Sequence, residues 1–144
     1  ISNDIQSNFN LKKHKLLFYG VLPLAKVTDL YPKVTIGISS LTFFRCNLNE
    51  ACVLKTREYT ANGLPFIYAY KDTDIKKPAP FCLSFPNQDS PIDMNTVIDF
   101  ATSISDKQKE ISAFAEQFAK EHMSWDTKMQ QYTNFCTEIT NPSL

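Results

Sequence analysis

The chain has little glycine and no excess charge of either sign. Its 144 residues include only 3 glycines, and 15 basic side chains balance 15 acidic ones. With neither a low-complexity linker nor an internal repeat, the sequence predicts one domain of ordinary size. The charge balance provides no overall positive field, which argues against nucleic acid and anionic lipid as partners.

The sequence also lacks the segments that mark several other classes of protein. Its apolar runs, such as residues 64–70, are far shorter than the roughly 20 residues that cross a bilayer. Only 2 histidines are present, without cysteine at metal-ligand spacing, so neither a metal site nor a cofactor is predicted. No glycine-rich phosphate loop or Gly-x-Ser-x-Gly motif occurs. Because the chain starts at Ile1 without Met or a leader, we expect a processed chain or an excised fragment.

The order of apolar and helix-breaking residues predicts an α/β fold. Strands are predicted at 16–19, 41–46, 66–70 and 81–85, the last two as a hairpin-like pair; helices are predicted near Ser2, over 24–31 and 51–59, and over 94–104 with Asp93 as its cap. Asp72, Asp74 and Asp89 are interpreted as solvated turn residues. This order favours a mixed sheet with helices on both faces.

Residues 59–67, with the sequence YTANGLPFI, lead from a predicted helix through a turn into a predicted strand. Together with the preceding elements, this segment resembles the thioredoxin-like domains of protein disulfide isomerases over roughly residues 2–105. The resemblance implies a cis bond at Leu64–Pro65, beside which the family holds extended polypeptide. It also implies a thioredoxin-like domain at residues 1–105 and a helical extension at residues 106–144.

The redox motif of that family is missing. Aligned on residues 18–19, the two cysteines of the family fall at Leu22 and Ala25, and its buried carboxylate falls at Leu17. Thiol exchange needs an attacking thiolate and a second thiol that resolves the mixed disulfide. We therefore expect no catalytic residue and no thiol oxidoreductase activity.

Because the redox motif is missing, the function that the resemblance still implies is protein binding. The predicted contact region for a protein or extended peptide is apolar: Val21, Leu22, Pro23, Leu24, Leu64 and Pro65. Alternatively, these leucines only fill core space. The expected function is a redox-inactive, chaperone-like or scaffolding module in the endoplasmic reticulum or another secretory-pathway lumen. A cytoplasmic adaptor and a thiol enzyme that uses Cys46 or Cys82 in a rearranged site are the alternatives.

The four cysteines are irregularly spaced. Some isomerase-like domains carry a structural disulfide across the connection that Cys46 and Cys52 flank, and the resemblance implies this bond here. Such a bond would indicate an oxidising compartment; free thiols are the alternative. Cys82 and Cys136 either pair, which would tie the tail to the sheet, or remain free.

The carboxy-terminal segment carries a heptad pattern. From Ile111 the seam positions alternate steps of four and three: Ala115, Phe118, His122, Trp125, Met129, Tyr132, Cys136 and Ile139. One interpretation is a helix, or two helices broken near Ser124, that packs this seam onto the domain. The other is a surface for a partner helix or a second copy, with Phe118, Trp125, Met129 and Tyr132 as its contacts, because such residues are costly to expose.

Overall fold

The computed structural model describes residues 17–140. Within this range the α-helices are α1 (Leu24–Thr28), α2 (Leu54–Ala61), α3 (Met94–Ser105), α4 (Gln108–Phe118) and α5 (Trp125–Thr140). The strands are β1 (Gly37–Ile38), β2 (Glu50–Ala51), β3 (Phe66–Tyr68), β4 (Lys71–Asp72) and β5 (Cys82–Ser84). Two 3-10 turns, Tyr31–Lys33 and Phe43–Cys46, and a π-helical turn, Ala119–Met123, complete the order. The helix predicted near Ser2 lies outside the described residues.

The strands form two small parallel sheets. β3 lies between β1 and β5, with Phe66 opposite both Gly37 and Cys82, and β2 pairs with β4. The predicted α/β class is thus confirmed, but the predicted mixed sheet is wrong, because every strand pair of the described residues is parallel and the pairs form two separate sheets. The predicted hairpin-like pair is wrong, because β3 and β5 run parallel. Their connection, residues 69–81, has about the dozen residues that a parallel crossover needs, whereas antiparallel neighbours are joined by short turns.

The hydrophobic core is built around β3. All 3 residues of this strand are buried, as expected for a continuous apolar run in a central parallel strand. Phe66 packs against Phe81 with ring centroids 6.1 Å apart, and both residues are 0% exposed. Burial of each ring contributes about 1.5–3 kcal/mol. Ile104 of α3 joins the same cluster, as do Ile111 and Ala115 of α4.

The strand predicted at residues 16–19 is not formed. Residue 16 lies outside the described range, and Leu17, Phe18 and Tyr19 have no regular structure and are 55–60% exposed. An apolar run becomes a strand only where it pairs with another strand. Among the described residues, β1, β3 and β5 pair with one another and β2 pairs with β4, and no strand pairs with residues 17–19. The segment aligned with the redox motif therefore lies at the surface.

The strand predicted at residues 41–46 is also wrong, since this segment contains a 3-10 turn. Asn47 ends the turn in the left-handed conformation, with φ 54°, and its N–H donates to the Phe44 carbonyl at 3.1 Å. Asparagine adopts this conformation more readily than most residues. The Phe43 ring still reaches the core, where its centroid lies 5.2 Å from that of Tyr70. Its apolar character therefore serves packing and not a strand.

The helices with strong local signals are confirmed. The helix predicted over 51–59 is formed as α2, although it begins only at Leu54 because Ala51 pairs in β2, and it is followed, as predicted, by a turn in which Gly63 has φ 61°. Asp93 caps α3 by accepting a hydrogen bond from the Asn95 N–H at 3.0 Å. Caps and positive-φ glycines act over a few residues, so the sequence is sufficient to locate them.

The carboxy-terminal extension consists of two helices. Ile111 and Ala115 of α4 are buried. After the π-helical turn, Ser124 leaves the helical conformation with ψ 153°, and its hydroxyl accepts a hydrogen bond from the Thr127 N–H at 3.2 Å. Of the two forms considered, one helix or two helices broken near Ser124, the structure has the second. The domain boundary after residue 105 stays a prediction, and α4 shares the core of the sheet across it.

Candidate functional site

A network of charged side chains lies between α2, β4 and α5. The Arg57 guanidinium donates two hydrogen bonds to Asp72, one of them 2.9 Å from Nη2 to Oδ1, and a third to Asp74 Oδ2. Lys128 of α5 donates to the other carboxylate oxygen of Asp74. The side chains of Asp72 and Asp74 are 0% and 8% exposed. The interpretation of these two aspartates as solvated turn residues is therefore wrong.

Burial and ion pairing have opposite effects on the pKa values of the side chains in this network. Burial lowers the pKa of Arg57, but its hydrogen bonds to Asp72 and Asp74 outweigh burial, and the pKa lies above its ordinary value. Burial raises the pKa of Asp74, but the hydrogen bonds from Lys128 and Arg57 outweigh it and hold the pKa below its ordinary value. Arg57 and Asp74 are therefore charged at neutral pH and bound to each other. Neither is left as an acid or base for catalysis.

A second polar cluster joins Ser39, Thr56 and Tyr70 inside the core. Ser39 Oγ lies 2.9 Å from Thr56 Oγ1 and 3.3 Å from the Tyr70 hydroxyl, and Thr56 is hydrogen-bonded to Tyr70. All three residues are buried. Burial raises the pKa of Tyr70, and the two neighbouring hydroxyls offset this only in part. The three hydroxyls satisfy one another, so this cluster serves the fold.

Helix α5 exposes a row of large apolar side chains, named here the α5 stripe: Trp125, Met129, Tyr132, Phe135 and Ile139. Their exposed fractions run from 52% for Met129 to 81% for Trp125. Cys136, on the same heptad seam, is partly buried. Exposed apolar patches of this kind mark sites of interaction in soluble proteins.

The break before α5 divides the predicted partner surface. Phe118 lies on α4 and packs against Phe81, with ring centroids 5.2 Å apart, so it belongs to the body of the fold. The other predicted residues are exposed on the α5 stripe: Trp125, Met129 and Tyr132. Phe135 was not predicted, because it stands one position before the seam residue Cys136. The signal in the sequence that could have identified it is a large aromatic residue directly beside a seam position.

The predicted peptide-contact residues differ widely in exposure. Val21 and Leu24 are 100% and 70% exposed, Pro23 is exposed, and Leu22 is partly buried. Leu64 is only 3% exposed and Pro65 is buried.

Helix α1 is shorter than the helix predicted over 24–31. It begins at Leu24 and ends at Thr28, because Pro32 falls in the following 3-10 turn.

Leu64 and Pro65 line an open cleft of about 460 Å³ beside α4. Tyr31 and Ser112 are also in its lining, whereas residues 21–24 are not. The structure therefore places the two halves of the predicted contact region in different surroundings. Among the described residues, the Leu64–Pro65 half lines this cleft and residues 21–24 do not.

The backbone at Pro65 departs from the expected family geometry. No peptide bond within residues 17–140 is cis, so the predicted cis bond at Leu64–Pro65 is wrong. The Pro65 carbonyl accepts a hydrogen bond from the Gly37 N–H at 2.7 Å, next to the ladder between β1 and β3. Because the chain itself uses this carbonyl, Pro65 offers no free backbone acceptor in that direction to an extended peptide.

All four cysteines are free thiols. Cys46 and Cys52 are exposed on either side of β2, and the structure does not contain the disulfide expected between them. Pairing of β2 with β4 holds Glu50 and Ala51, just before Cys52, extended, which works against the hairpin-like return that a short bridge requires. Cys82 and Cys136 are free as well. Burial raises the pKa of the Cys82 thiol to about 12, so almost none of it is thiolate at neutral pH.

Within the described range, no three His, Cys, Asp or Glu side chains cluster as a metal site would require. None of the described helices is long and apolar enough to cross a membrane.

Comparison with protein-family models, curated proteins and solved structures found no match to this chain.

Proposed function

We propose that this chain is a protein-binding module without thiol oxidoreductase activity, and that the α5 stripe is its binding surface. The observation that carries the proposal is the exposure of Trp125, at 81%, in a row with other large apolar side chains. Near its start, α5 is tied to the rest of the chain by the ion pair of Lys128 with Asp74 and by the hydrogen bond from Thr127 to the Lys120 carbonyl. A helix anchored at one end with an apolar outer row is suited to a partner.

The occupant that fits the stripe is an amphipathic α-helix of another protein. Trp125, Met129 and Tyr132 are separated by steps of four and three, and Ile139 follows after seven, which is the spacing at which two helices interlock their side chains. The 16 residues of α5 span about 24 Å. This length receives about two heptads of a partner helix. A second copy of this chain is the competing occupant that the experiment distinguishes.

The thioredoxin-like relationship remains part of the proposal. In its support, α2, the turn at Gly63, Pro65 and β3 follow one another in the order that the resemblance implies. The trans bond at Pro65 and the missing strand at residues 17–19 depart from it. The proposed compartment, a secretory-pathway lumen, rests on this resemblance alone. A count of four free thiols in freshly isolated protein that has been unfolded in urea would favour the cytoplasmic adaptor instead.

The proposed lack of oxidoreductase activity rests on the thiols. Cys82 is a poor nucleophile, because burial raises its pKa to about 12. Cys46 and Cys52 are exposed, and Cys52 directly precedes the N-cap of α2, but neither has a second cysteine at the Cys-x-x-Cys spacing that would resolve a mixed disulfide. An insulin-reduction assay tests this. Robust turnover that Cys46→Ser or Cys82→Ser abolishes would establish the thiol-enzyme alternative.

The α5 stripe contains its own reporter, because Trp125 is the only tryptophan in the sequence. The probe is a synthetic amphipathic helix of three heptads with Leu at the a and d positions, Glu and Lys elsewhere, and no Trp. Titrated into the full chain, it should shift the Trp125 emission to shorter wavelength, since contact removes the indole from water. Met129→Ser/Tyr132→Ser should abolish the shift. Gln130→Ala/Asn134→Ala, at exposed polar positions of the same helix, should preserve it.

Two other results would change the proposal. A shift that grows with protein concentration without peptide, together with a dimer in sedimentation, would make a second copy the occupant. The same emission at all protein and probe concentrations up to about 1 mM, where a binding energy of only about 4 kcal/mol is detectable, would overturn the assignment of the α5 stripe as a binding surface.

A further inference from the structure

A cleft of about 480 Å³ lies between the segment that follows β4 and the helices α4 and α5. Its lining combines basic and aromatic residues, among them Lys76, Lys77, Lys128, Phe114 and Phe118, with Asp74 as the one acidic residue of the described lining. The volume falls in the range of about 300–1,000 Å³ typical of ligand sites. Nothing in the function proposed above uses this cleft.

The acidic residue in the lining of the cleft does not neutralise the positive charge of Lys76 and Lys77. Asp74 is held by both Arg57 and Lys128, and Arg57 also pairs with Asp72, so the two acids and two bases of that network balance. Lys76 and Lys77 are exposed and form no ion pair with any residue in the range 17–140. These two lysines therefore give the cleft a surplus of positive charge.

The aromatic residues supply a fixed apolar surface beside that charge. Phe114 is 49% exposed, although its ring touches the fully buried Phe81 at a centroid distance of 6.1 Å. Phe118 lies closer to the same ring, at 5.2 Å. Because both rings rest on the core, their positions do not depend on a ligand. A ligand with an apolar group next to carboxylates would match both features of the cleft.

We propose that this cleft binds an acidic peptide segment in which an aromatic or aliphatic side chain is flanked by Asp or Glu. The apolar side chain lies against Phe114, and the flanking carboxylates pair with Lys76 and Lys77. This is a second binding surface with a ligand of defined charge. It does not depend on what the α5 stripe binds.

Three fluorescein-labelled peptides of equal length test the proposal by fluorescence anisotropy with the full chain. The first places Asp and Glu around a central Phe, the second replaces the acids by Lys and Arg, and the third keeps the acids and replaces Phe by Ser. The first should bind at least about fivefold more tightly than either of the others, since it alone satisfies both features. Its affinity should fall as salt rises, because exposed charges are screened.

Matched variants locate the binding site. Lys76→Glu/Lys77→Glu should weaken binding of the acidic Phe peptide about tenfold or more, and Phe114→Ser about fivefold. Lys33→Glu/Lys55→Glu introduces the same change of charge at exposed positions outside the cleft, and should change affinity by less than about twofold. Circular dichroism and thermal melting verify that each variant is folded.

Several results would overturn the proposal. They are equal binding of all three peptides, equal loss in the cleft and control variants, and no binding of the acidic Phe peptide at about 1 mM. Competition by inorganic phosphate at equal charge concentration would make the cleft a simple anion site. Met129→Ser/Tyr132→Ser leaves the cleft residues intact and should bind the peptide like the unmodified chain; loss of binding there would assign the peptide to the α5 stripe.

Discussion

Lys128 on α5 and Asp74 on the segment after β4 form the ion pair that joins the last helix to the body of the protein. The Lys128 side chain is 36% exposed, whereas that of Asp74 is only 8% exposed. The pair is therefore the more solvent-exposed part of a mostly buried network that includes Arg57 and Asp72. We expect this ion pair to help hold α5, and with it the α5 stripe, in place.

Removing the cation of this pair should loosen α5 without unfolding the body. In Lys128→Met, Asp74 keeps its bond to Arg57, and the loss is that of a partly exposed pair, about 0.2–1 kcal/mol. Amide hydrogen exchange should become faster in α5 and stay unchanged in β3. Lys120→Met is the control, since Lys120 is exposed and forms no ion pair with a described residue. Unchanged exchange in α5 would show that the pair does not hold the helix.

Neutralising Asp72 should have a much larger effect. Its side chain is 0% exposed and binds Arg57, so in Asp72→Asn the largely buried guanidinium keeps only Asp74 as a carboxylate partner. Losing hydrogen bonds to a buried charged group costs about 1.5–3 kcal/mol, measured as the free energy of unfolding in urea. Asp89→Asn, at an exposed position, should cost less than about 0.5 kcal/mol. Similar costs for both variants would contradict the buried network.

The carboxylate of Asp74 predicts a loss of stability in acid. Its folded-state pKa lies below the ordinary value of 3.8, so its contribution is complete above that pH and declines as the pH falls through the lower folded-state pKa. The difference in free energy of unfolding between the unmodified chain and Asp74→Asn should therefore be constant near neutrality and shrink below about pH 4. A difference that does not change down to pH 2 would contradict the depressed pKa.

The cysteines should differ in their rates of alkylation. With a pKa of about 12, about one Cys82 side chain in ten thousand is thiolate at pH 8. Iodoacetamide should therefore modify the exposed Cys46 and Cys52 first, and Cys82 only when urea unfolds the chain. Mass spectrometry of peptides after timed quenching measures each site. Equal rates for Cys82 and Cys46 in the folded chain would show that the Cys82 thiol is accessible and ionisable.

The parts of the fold that the sequence predicted correctly are those with local causes. The cap at Asp93, the turn at Gly63 and the buried run of β3 each act within a few residues. The strands predicted at 16–19 and 41–46 failed for another reason. Whether an apolar run becomes a strand depends on pairing with another strand, and that partner strand comes from residues distant in sequence.

The same division applies to the candidate site. The heptad spacing placed Trp125, Met129 and Tyr132 on one face of a helix, because helical periodicity is local. The network of Arg57, Asp72 and Lys128 was missed, since its members come from a helix, a strand and the last helix. The burial of a polar turn residue cannot be read from its neighbours in the chain.

The wide turn of Ala119–Met123, with the break at Ser124, separates one apolar seam into an inner and an outer half. On α4, a substitution such as Ala115→Asp would destabilise the fold, because Ala115 is fully buried and a carboxylate there would have no access to solvent. On α5, Trp125 is 81% exposed, so a substitution there leaves the core unchanged. Two lengths of the same repeating pattern thus differ in what a substitution disturbs: the fold itself on α4, and on α5 only the binding surface that we propose.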